Sequence, residues 1–401
     1  MTVTQAVCLV GGRGTRLGAL TDSTPKPLLE VGGRPFLDYL VHEARRFGLS
    51  RLTLLSGYQS GEIERRYHGQ RFGQLAVEVV PEPEPAGTAG ALANAGSRLD
   101  DAFFLLNGDS YFDFNWLSLV TATGDWTMHT ALASGIEGSR YGRVQLEGGK
   151  VRGFQEKGAS DAPINAGIYL VKRQVLDLIT AVPCSLEREI LPGLAERGQL
   201  LGTAARGSFI DIGIPSDFAR AQTLLPSFMH RPAAFLDRDG ILNRDDGYVH
   251  KAEDIVWIDG AIETVRWLNE RGFYVFVITN QGGVAHGYYE EQHVHDLHDW
   301  MQQEMQRHGA HIDAFEHCPY HPEGKVERYA RESEFRKPRP GMILKLQREW
   351  TTDPSRSFVV GDRDTDVEAA IAAGVAGFKF PGGNLLDFLE QRIPLRAMAP
   401  S

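Results

Sequence analysis

Cysteine is scarce: Cys8, Cys184 and Cys318 are the only three in 401 residues. Their number and scatter exclude a disulfide framework and point to a reducing, cytoplasmic setting. Basic residues are outnumbered, 42 against 52 acidic, for a net charge of −10. That sign is poorly matched to a nucleic-acid backbone, so no nucleic-acid partner is expected. No apolar run is long enough to cross a bilayer, and the opening Met1-Thr2-Val3-Thr4-Gln5 lacks the layout of a signal peptide. There is no internal repeat, and no hexapeptide pattern follows residue 220. What remains is an ordinary globular composition, 42% hydrophobic and 23% charged, with length for about two domains.

Two alternations of strand and helix organise the chain. In the first, Ala6 to Val10, Leu52 to Ser56, Leu75 to Val80 and Ala102 to Leu106 read as buried strands. Phe36, Leu37, Leu40, Val41 and Ala44 form a helical stripe between them. Met128 to Leu146 has more strand and less helix, and Ala166 to Val171 returns as a strand. The segment Pro226 to Pro232 reads as a boundary, with domains over 1–225 and 232–401. Beyond it, strands are expected at Ala233 to Asp237, Tyr274 to Thr279 and Ser357 to Gly361, with helices near 261–271, 290–308, 340–350 and 364–373. Such alternation makes the fold class α/β, with mostly parallel sheets.

The first alternation opens on a phosphate loop. Gly11, Gly12, Arg13, Gly14, Thr15 and Arg16 follow the first strand directly. Glycines there let backbone N–H groups turn toward an anion, and the arginines add fork-shaped positive charge. Lys26 follows on the turn Thr24-Pro25-Lys26-Pro27. Leu17 stands where a dinucleotide fingerprint needs its third glycine, and the Gly-Lys-Ser/Thr of a Walker A loop is absent. By itself the loop also allows the less favoured reading of a plain βα turn. Asp109, after Asn107-Gly108, and Asp211, in Phe209 to Gly213, offer carboxylates at strand ends.

Together these residues resemble the sugar-1-phosphate nucleotidyltransferases over about residues 5–220, most specifically from Gly11 to Leu37. The resemblance implies a Rossmann-like, GT-A-like mixed sheet. It puts a nucleoside triphosphate on Gly11 to Arg16, the nucleobase near Gly87 and Thr88, and phosphates on Arg16 and Lys26. It gives Asp109 and Asp211 to Mg2+. Gly142, Glu156, Lys157 and Asn165 would face a phosphorylated sugar, with Lys157 on its phosphate. The nearest members act on mannose-like or heptose 1-phosphates with GTP.

The second alternation carries another chemistry. Asp237-Arg238-Asp239-Gly240 follows four apolar residues, and carboxylates at i and i+2 after a strand can share one Mg2+. A lone Asp-x-Asp is a weak signal. Here Ile278-Thr279-Asn280-Gln281, Arg336-Lys337-Pro338 and Val360-Gly361-Asp362 follow in order. The set is similar to the haloacid dehalogenase (HAD) phosphatases across about 232–385. That resemblance implies a capless Rossmannoid domain, open to a sizeable substrate. It makes Asp237 the nucleophile and Asp239 the general acid/base. Thr279 and Lys337 would grip the phosphoryl group. Asp362 would complete the Mg2+ site with Asp237 and the Asp239 main-chain carbonyl.

Gly247-Tyr248-Val249-His250, Cys318-Pro319 and Arg336 to Met342 draw the match toward heptose 1,7-bisphosphate 7-phosphatases. Histidinol-phosphate phosphatases share much of the pattern. Arg336 would be a further contact to phosphate or sugar. Members usually hold a structural zinc on one histidine and three cysteines. Here only Cys318 survives, with Tyr320, Ser333 and Phe335 at the other positions, so no zinc is expected, and Tyr320 and Phe335 should pack where the metal bonds would be. His286 replaces an arginine common in relatives. His293, His295 and His298 read as a solvated helix surface. The resemblances combine into two enzymes acting in series toward a GDP-linked heptose. A different sugar, or one domain serving as a binding module, are the alternatives.

Overall fold

Apolar runs pair side by side in the computed structural model, which describes residues 2–136, 141–155 and 161–393. The chain forms two units, Met1–Pro226 and Ser227–Ser401. The stretch read as a boundary is largely helical: Pro215–Met229 is one helix with Pro226 inside it.

In the first unit the described residues build a ten-stranded sheet. Gln5–Leu9 lies inside it, parallel to Arg51–Ser56 on one side and to Ala102–Asn107 on the other. The chain goes from Gln5–Leu9 outward to Leu75–Pro81, then returns past its start to Ala102–Asn107. Such a reversal opens a crevice beyond the carboxyl ends of the neighbouring strands. Leu9 is level with both Leu55 and Asn107, so the loops after residues 9 and 107 emerge together. The other half is mixed. Ile164–Lys172 runs antiparallel to Ala102–Asn107 and Met128–Ser134, while Leu200–Arg206 is parallel to Met128–Ser134. A mostly parallel sheet therefore holds only for the first half. Helix Phe36–Arg46 buries the expected stripe, and its Asp38 and Arg45 sit at the ends the helix dipole favours.

A small ribbon completes the site. Ser110–Phe112 pairs antiparallel with Phe209–Asp211, setting Asp211 opposite Ser110. Asp109 and Asp211, about 100 residues apart in sequence, become neighbours through that pairing.

The described residues of the second unit build five parallel strands in the order Ala314–Cys318, Tyr274–Asn280, Ala233–Leu236, Phe358–Gly361, Ala376–Lys379. Side chains alternate between two cores. Ala234, Leu236, Val275 and Val277 enter one; Ala233, Phe235, Tyr274 and Phe276 enter the other. Burial on both faces is why these strands read as unbroken apolar runs. Each large side chain so buried contributes about 1.5–3 kcal/mol. Trp350, from helix Gly341–Trp350, closes the second core against Tyr274 and Phe276 at ring distances of 5.3 and 5.5 Å. The central strand's neighbours are Tyr274–Asn280 and Phe358–Gly361, so Asp237, Thr279 and Asp362 leave adjacent carboxyl ends.

Candidate active sites

In the first unit, the loop after Leu9 is tied to the neighbouring strand end. Val10 N donates to Leu55 O at 2.9 Å, and Tyr58 N donates to Gly11 O at 3.1 Å. Gly14, at φ 65°, caps the turn Thr15–Thr21. Gly12, Arg13, Thr15 and Arg16 are exposed, and the Arg13 guanidinium lies over the Tyr58 ring at 5.6 Å. Lys26 is only 6% exposed. Its Nζ stands 2.6 Å from Asp109 Oδ2 and 3.9 Å from Asp211 Oδ1, so one buried ammonium bridges the two carboxylates. A Cβ at Gly213 would come within 3.5 Å of Asp211, Lys26 Nζ and Arg16 Nη2. Arg16 therefore borders the same pocket. The pair of carboxylates suits a hard divalent cation, with Lys26 filling part of the space between them.

The remaining expected residues are spread around this centre. Gly87 and Thr88 begin helix Gly87–Ala95. The Thr88 hydroxyl donates to Glu187 and accepts from Leu186 N, so it fixes the fold locally. Asn165 donates to Tyr169 Oη and accepts from Thr130 and Gly167 N. Gly142 is exposed ahead of strand Arg143–Glu147. Glu156 and Lys157 lie outside the described residues. Glu82, on the loop ahead of helix Gly87–Ala95, accepts from Ala86 N at 3.2 Å, and burial raises its pKa.

In the second unit the parts converge. Lys337 Nζ stands 2.9 Å from Asp237 Oδ2 and 2.6 Å from Asp366 Oδ1, and donates to Ile278 O at 3.0 Å. Asn280 holds the Lys337 backbone on both sides, donating to its carbonyl and accepting from its N–H at 3.1 Å each. Oxygens of Asp237, Asp362 and Asp366 all lie within 4.8 Å of one another. Three carboxylates face the Lys337 ammonium, and the Arg363 guanidinium reaches only the edge of the group, its Nε 4.0 Å from Asp362 Oδ1, so negative charge still exceeds positive. Asp362 Oδ1 is buried without a hydrogen-bond partner. Gly240, at φ 87°, passes so close that a Cβ there would meet Asp362 Oδ2 at 2.6 Å. A buried oxygen with no hydrogen bond, an excess of negative charge and a close-fitting loop fit a divalent cation.

Protonation follows the same logic. Burial pushes the Asp237 carboxyl up to about 7; Lys337 opposes this, and Asp366 and Asp239 add repulsion. Burial also raises Asp362. Burial disfavours the Lys337 charge as well, but Asp237 and Asp366 outweigh it and its pKa rises. The cluster lacks positive charge, and a cation would supply it.

Asp239 is turned away from that cluster. Its oxygens accept from Arg238 Nε and Nη2, Asn243 Nδ2 and Gln281 Nε2. Gln281 also donates to Thr279 Oγ1 at 2.9 Å and accepts from Tyr289 Oη at 2.7 Å. Thr279 and Asp239 are thus joined through one buried amide. Arg336 Nη1 donates to Tyr320 O at 3.2 Å and borders Gly282.

Comparison with known proteins accords with this geometry. A nucleotidyl transferase family model matches residues 5–227, and a HAD-hydrolase-like model matches residues 334–384. The chain is similar to D-glycero-beta-D-manno-heptose-1,7-bisphosphate 7-phosphatase of Rhodopseudomonas palustris, 50% identical over 161 residues, 40% of this chain and 89% of that protein. It is 46% identical over 147 residues to D-glycero-alpha-D-manno-heptose-1,7-bisphosphate 7-phosphatase of Burkholderia mallei, 37% of this chain and 78% of that protein. HddC from Yersinia pseudotuberculosis, solved in complex with GMP-PN, is 28% identical, with a TM-score of 0.50 over 55% of this chain and 98% of HddC. The chain belongs to the nucleotidyl transferase family, joined to a HAD-like phosphatase.

Several features of the HAD-like unit were not legible in its sequence. Asp366 and Gln281 are the chief additions, and Asp366 is the third carboxylate of the cluster. Tyr320 and Phe335 pack against the core that holds Cys318. His286 joins a group of rings, 4.7 Å from His321 and 5.6 Å from Tyr288. Tyr248 and Tyr288 meet at 4.7 Å and are 50% and 55% exposed. The histidine helix is not simply a solvated face. His298 is buried against Phe315 at 4.5 Å, and His295 meets His317 at 5.0 Å. Among the described residues no helix is long and apolar enough to cross a membrane.

Proposed function

We propose that the chain removes the 7-phosphate from D-glycero-D-manno-heptose 1,7-bisphosphate and joins the resulting heptose 1-phosphate to GMP from GTP. The observation that carries this is the grouping of Asp237, Lys337 and Asp362 at adjacent strand ends, on a chain that also presents Arg16, Lys26, Asp109 and Asp211. The heptose is supported by the two phosphatase relatives, and guanine by the nucleotide bound to HddC.

In the HAD-like site, Asp237 Oδ attacks the C7 phosphorus while Lys337 and Thr279 hold the phosphoryl oxygens. The bond to the C7 oxygen breaks, and Asp239 gives that oxygen its proton. Water then attacks the aspartyl-phosphate, Asp239 takes its proton, and inorganic phosphate leaves. Mg2+, held by Asp237, Asp362 and the Asp239 carbonyl, would offset repulsion between carboxylate and phosphate. The exposed Tyr248 and Tyr288 rings, with Arg336, suit a sugar phosphate entering an uncapped site.

In the other site, a heptose 1-phosphate oxygen attacks the α-phosphorus of GTP and pyrophosphate departs. Arg16 and Lys26 bring two polyanions together, and alignment supplies the catalysis. The loop Gly11 to Thr15 would hold the triphosphate, and Gly87 and Thr88 would lie near the base. Gly142, Glu156, Lys157 and Asn165 would meet the sugar phosphate, and Asp109 and Asp211 a second Mg2+. A cytoplasmic setting is supported by three buried unpaired thiols. The test supplies each of the four NTPs with the α or β heptose 1,7-bisphosphate and identifies products by mass. GDP-heptose should form with GTP. Equal phosphate release from histidinol phosphate, or equal use of mannose 1-phosphate, would sink the assignment.

A further inference from the structure

Helix Glu291–Arg307 and strand Ala314–Cys318 bring together three metal-ligating groups that the phosphatase chemistry does not use. Glu291 and His295 stand at i and i+4 on the helix, one turn apart on a single face. His317 lies near the end of the strand, level with Thr279 on the neighbouring one. One ligand atom from each of the three lies within 4.8 Å of the others, and His317 Nε2 is 3.0 Å from Glu291 Oε1. Donors about 2.0–2.2 Å from a tetrahedral ion are about 3.3 Å apart. A small closure of the cup would reach that spacing.

We propose that Glu291, His295 and His317 form a transition-metal site, sharing no residue with the aspartate cluster, that takes a divalent ion such as Zn2+.

The surroundings support this more than a bare ion pair. Tyr329 Oη donates to Glu291 Oε2 at 2.7 Å. That orients the carboxylate and leaves Oε1 facing the histidines, as an outer hydrogen bond does for a metal-bound carboxylate. His295 and His317 offer imidazole nitrogens, which when neutral are among the commonest metal ligands. Two imidazoles and one carboxylate are a ligand set for Zn2+ with an open fourth position. His295 is exposed, which gives the ion a path in and room for a water. Hard Mg2+ prefers an all-oxygen set, so the two kinds of site separate by ligand chemistry. The bound ion would pin the helix start to an edge strand beside Thr279. Its role is structural, since its ligands include none of Asp237, Thr279, Lys337 and Asp362.

The full chain, stripped with chelator and refilled with excess Mg2+ to occupy the aspartates, is titrated with Zn2+ by calorimetry. Co2+ absorption in the visible range reports the coordination. One Zn2+ per chain is expected, with a tetrahedral Co2+ spectrum and a higher unfolding temperature. His295→Ala, at an exposed position that leaves the core intact, should abolish all three effects. Tyr329→Phe should weaken Zn2+ by about 10-fold. Phosphate release in Mg2+ alone should be unchanged in His295→Ala. The proposal is overturned if the parent protein takes up no Zn2+ beside Mg2+. It is equally overturned if His295→Ala and Glu291→Gln bind Zn2+ as the parent does.

Discussion

Asp366→Asn isolates the carboxylate that completes the phosphatase cluster. Asp366 is 1% exposed and stands 2.6 Å from Lys337 Nζ. Its second oxygen accepts from Arg363 N at 3.1 Å. An asparagine oxygen preserves that bond by turning its amide nitrogen toward the Lys337 ammonium, so the substitution keeps shape, removes the charge and sets donor against donor. Coulomb's law with an effective dielectric near 20 gives about 6 kcal/mol between unit charges so close. Most of that is offset by the desolvation of a buried pair, and Lys337 keeps Asp237 and the Ile278 carbonyl. A net loss of about 2 kcal/mol is the reasonable remainder for one charged hydrogen bond. If the loss falls on the transition state, it is about 30-fold in kcat/KM. Removing a charge beside Asp237 and Asp362 should also raise the Mg2+ concentration for half-maximal phosphate release by about 10-fold or more. Phosphate release measured across a Mg2+ series, with pyrophosphate release as internal control, tests both effects. Parental kcat/KM together with parental Mg2+ dependence would refute the view that Asp366 shapes this site.

Asp237→Asn should abolish phosphate release and leave pyrophosphate release intact; loss of both in a folded protein would contradict independent sites. Lys26→Met should lower pyrophosphate release by about 100-fold or more, as loss of a preorganised charge does, without touching phosphate release. Asn280→Ala removes two hydrogen bonds to the Lys337 backbone, worth about 1–3 kcal/mol together. It should reduce kcat of phosphate release more than KM, and a pure KM effect would argue that Asn280 touches substrate instead. Chelation should stop both reactions, with Mg2+ restoring each; a reaction that persists in excess chelator needs no divalent ion.

Legibility in the sequence followed burial. Strands covered on both faces, such as Ala233–Leu236 and Tyr274–Asn280, show as continuous apolar runs, and the motifs at their ends could be placed. The edge strands Ala314–Cys318 and Ala376–Lys379 are only partly buried and carry Glu316, His317 and Lys379, so no run marks them. That gap hid the meeting of His317 with the histidine helix. Asp366 was hidden for another reason. It lies in the first turn of helix Asp364–Ala372, where an acidic residue already suits the helix dipole, and nothing local shows that it faces Lys337. Gln281 reads as the tail of a phosphate-gripping motif; only the fold joins it to Asp239. The mixed half of the larger sheet was expected from the family resemblance but not from the alternation of strands and helices, because strand direction is set by distant pairing, not by local pattern.

The alternating cores of the smaller sheet make strand length a constraint of its own. Ala233 and Phe235 point one way, Ala234 and Leu236 the other, and Asp237 comes next in that rhythm. Deleting one residue upstream would swap the lining of both cores and aim Asp237 at the opposite face. Swaps among apolar residues of similar volume should be far better tolerated than any change in spacing.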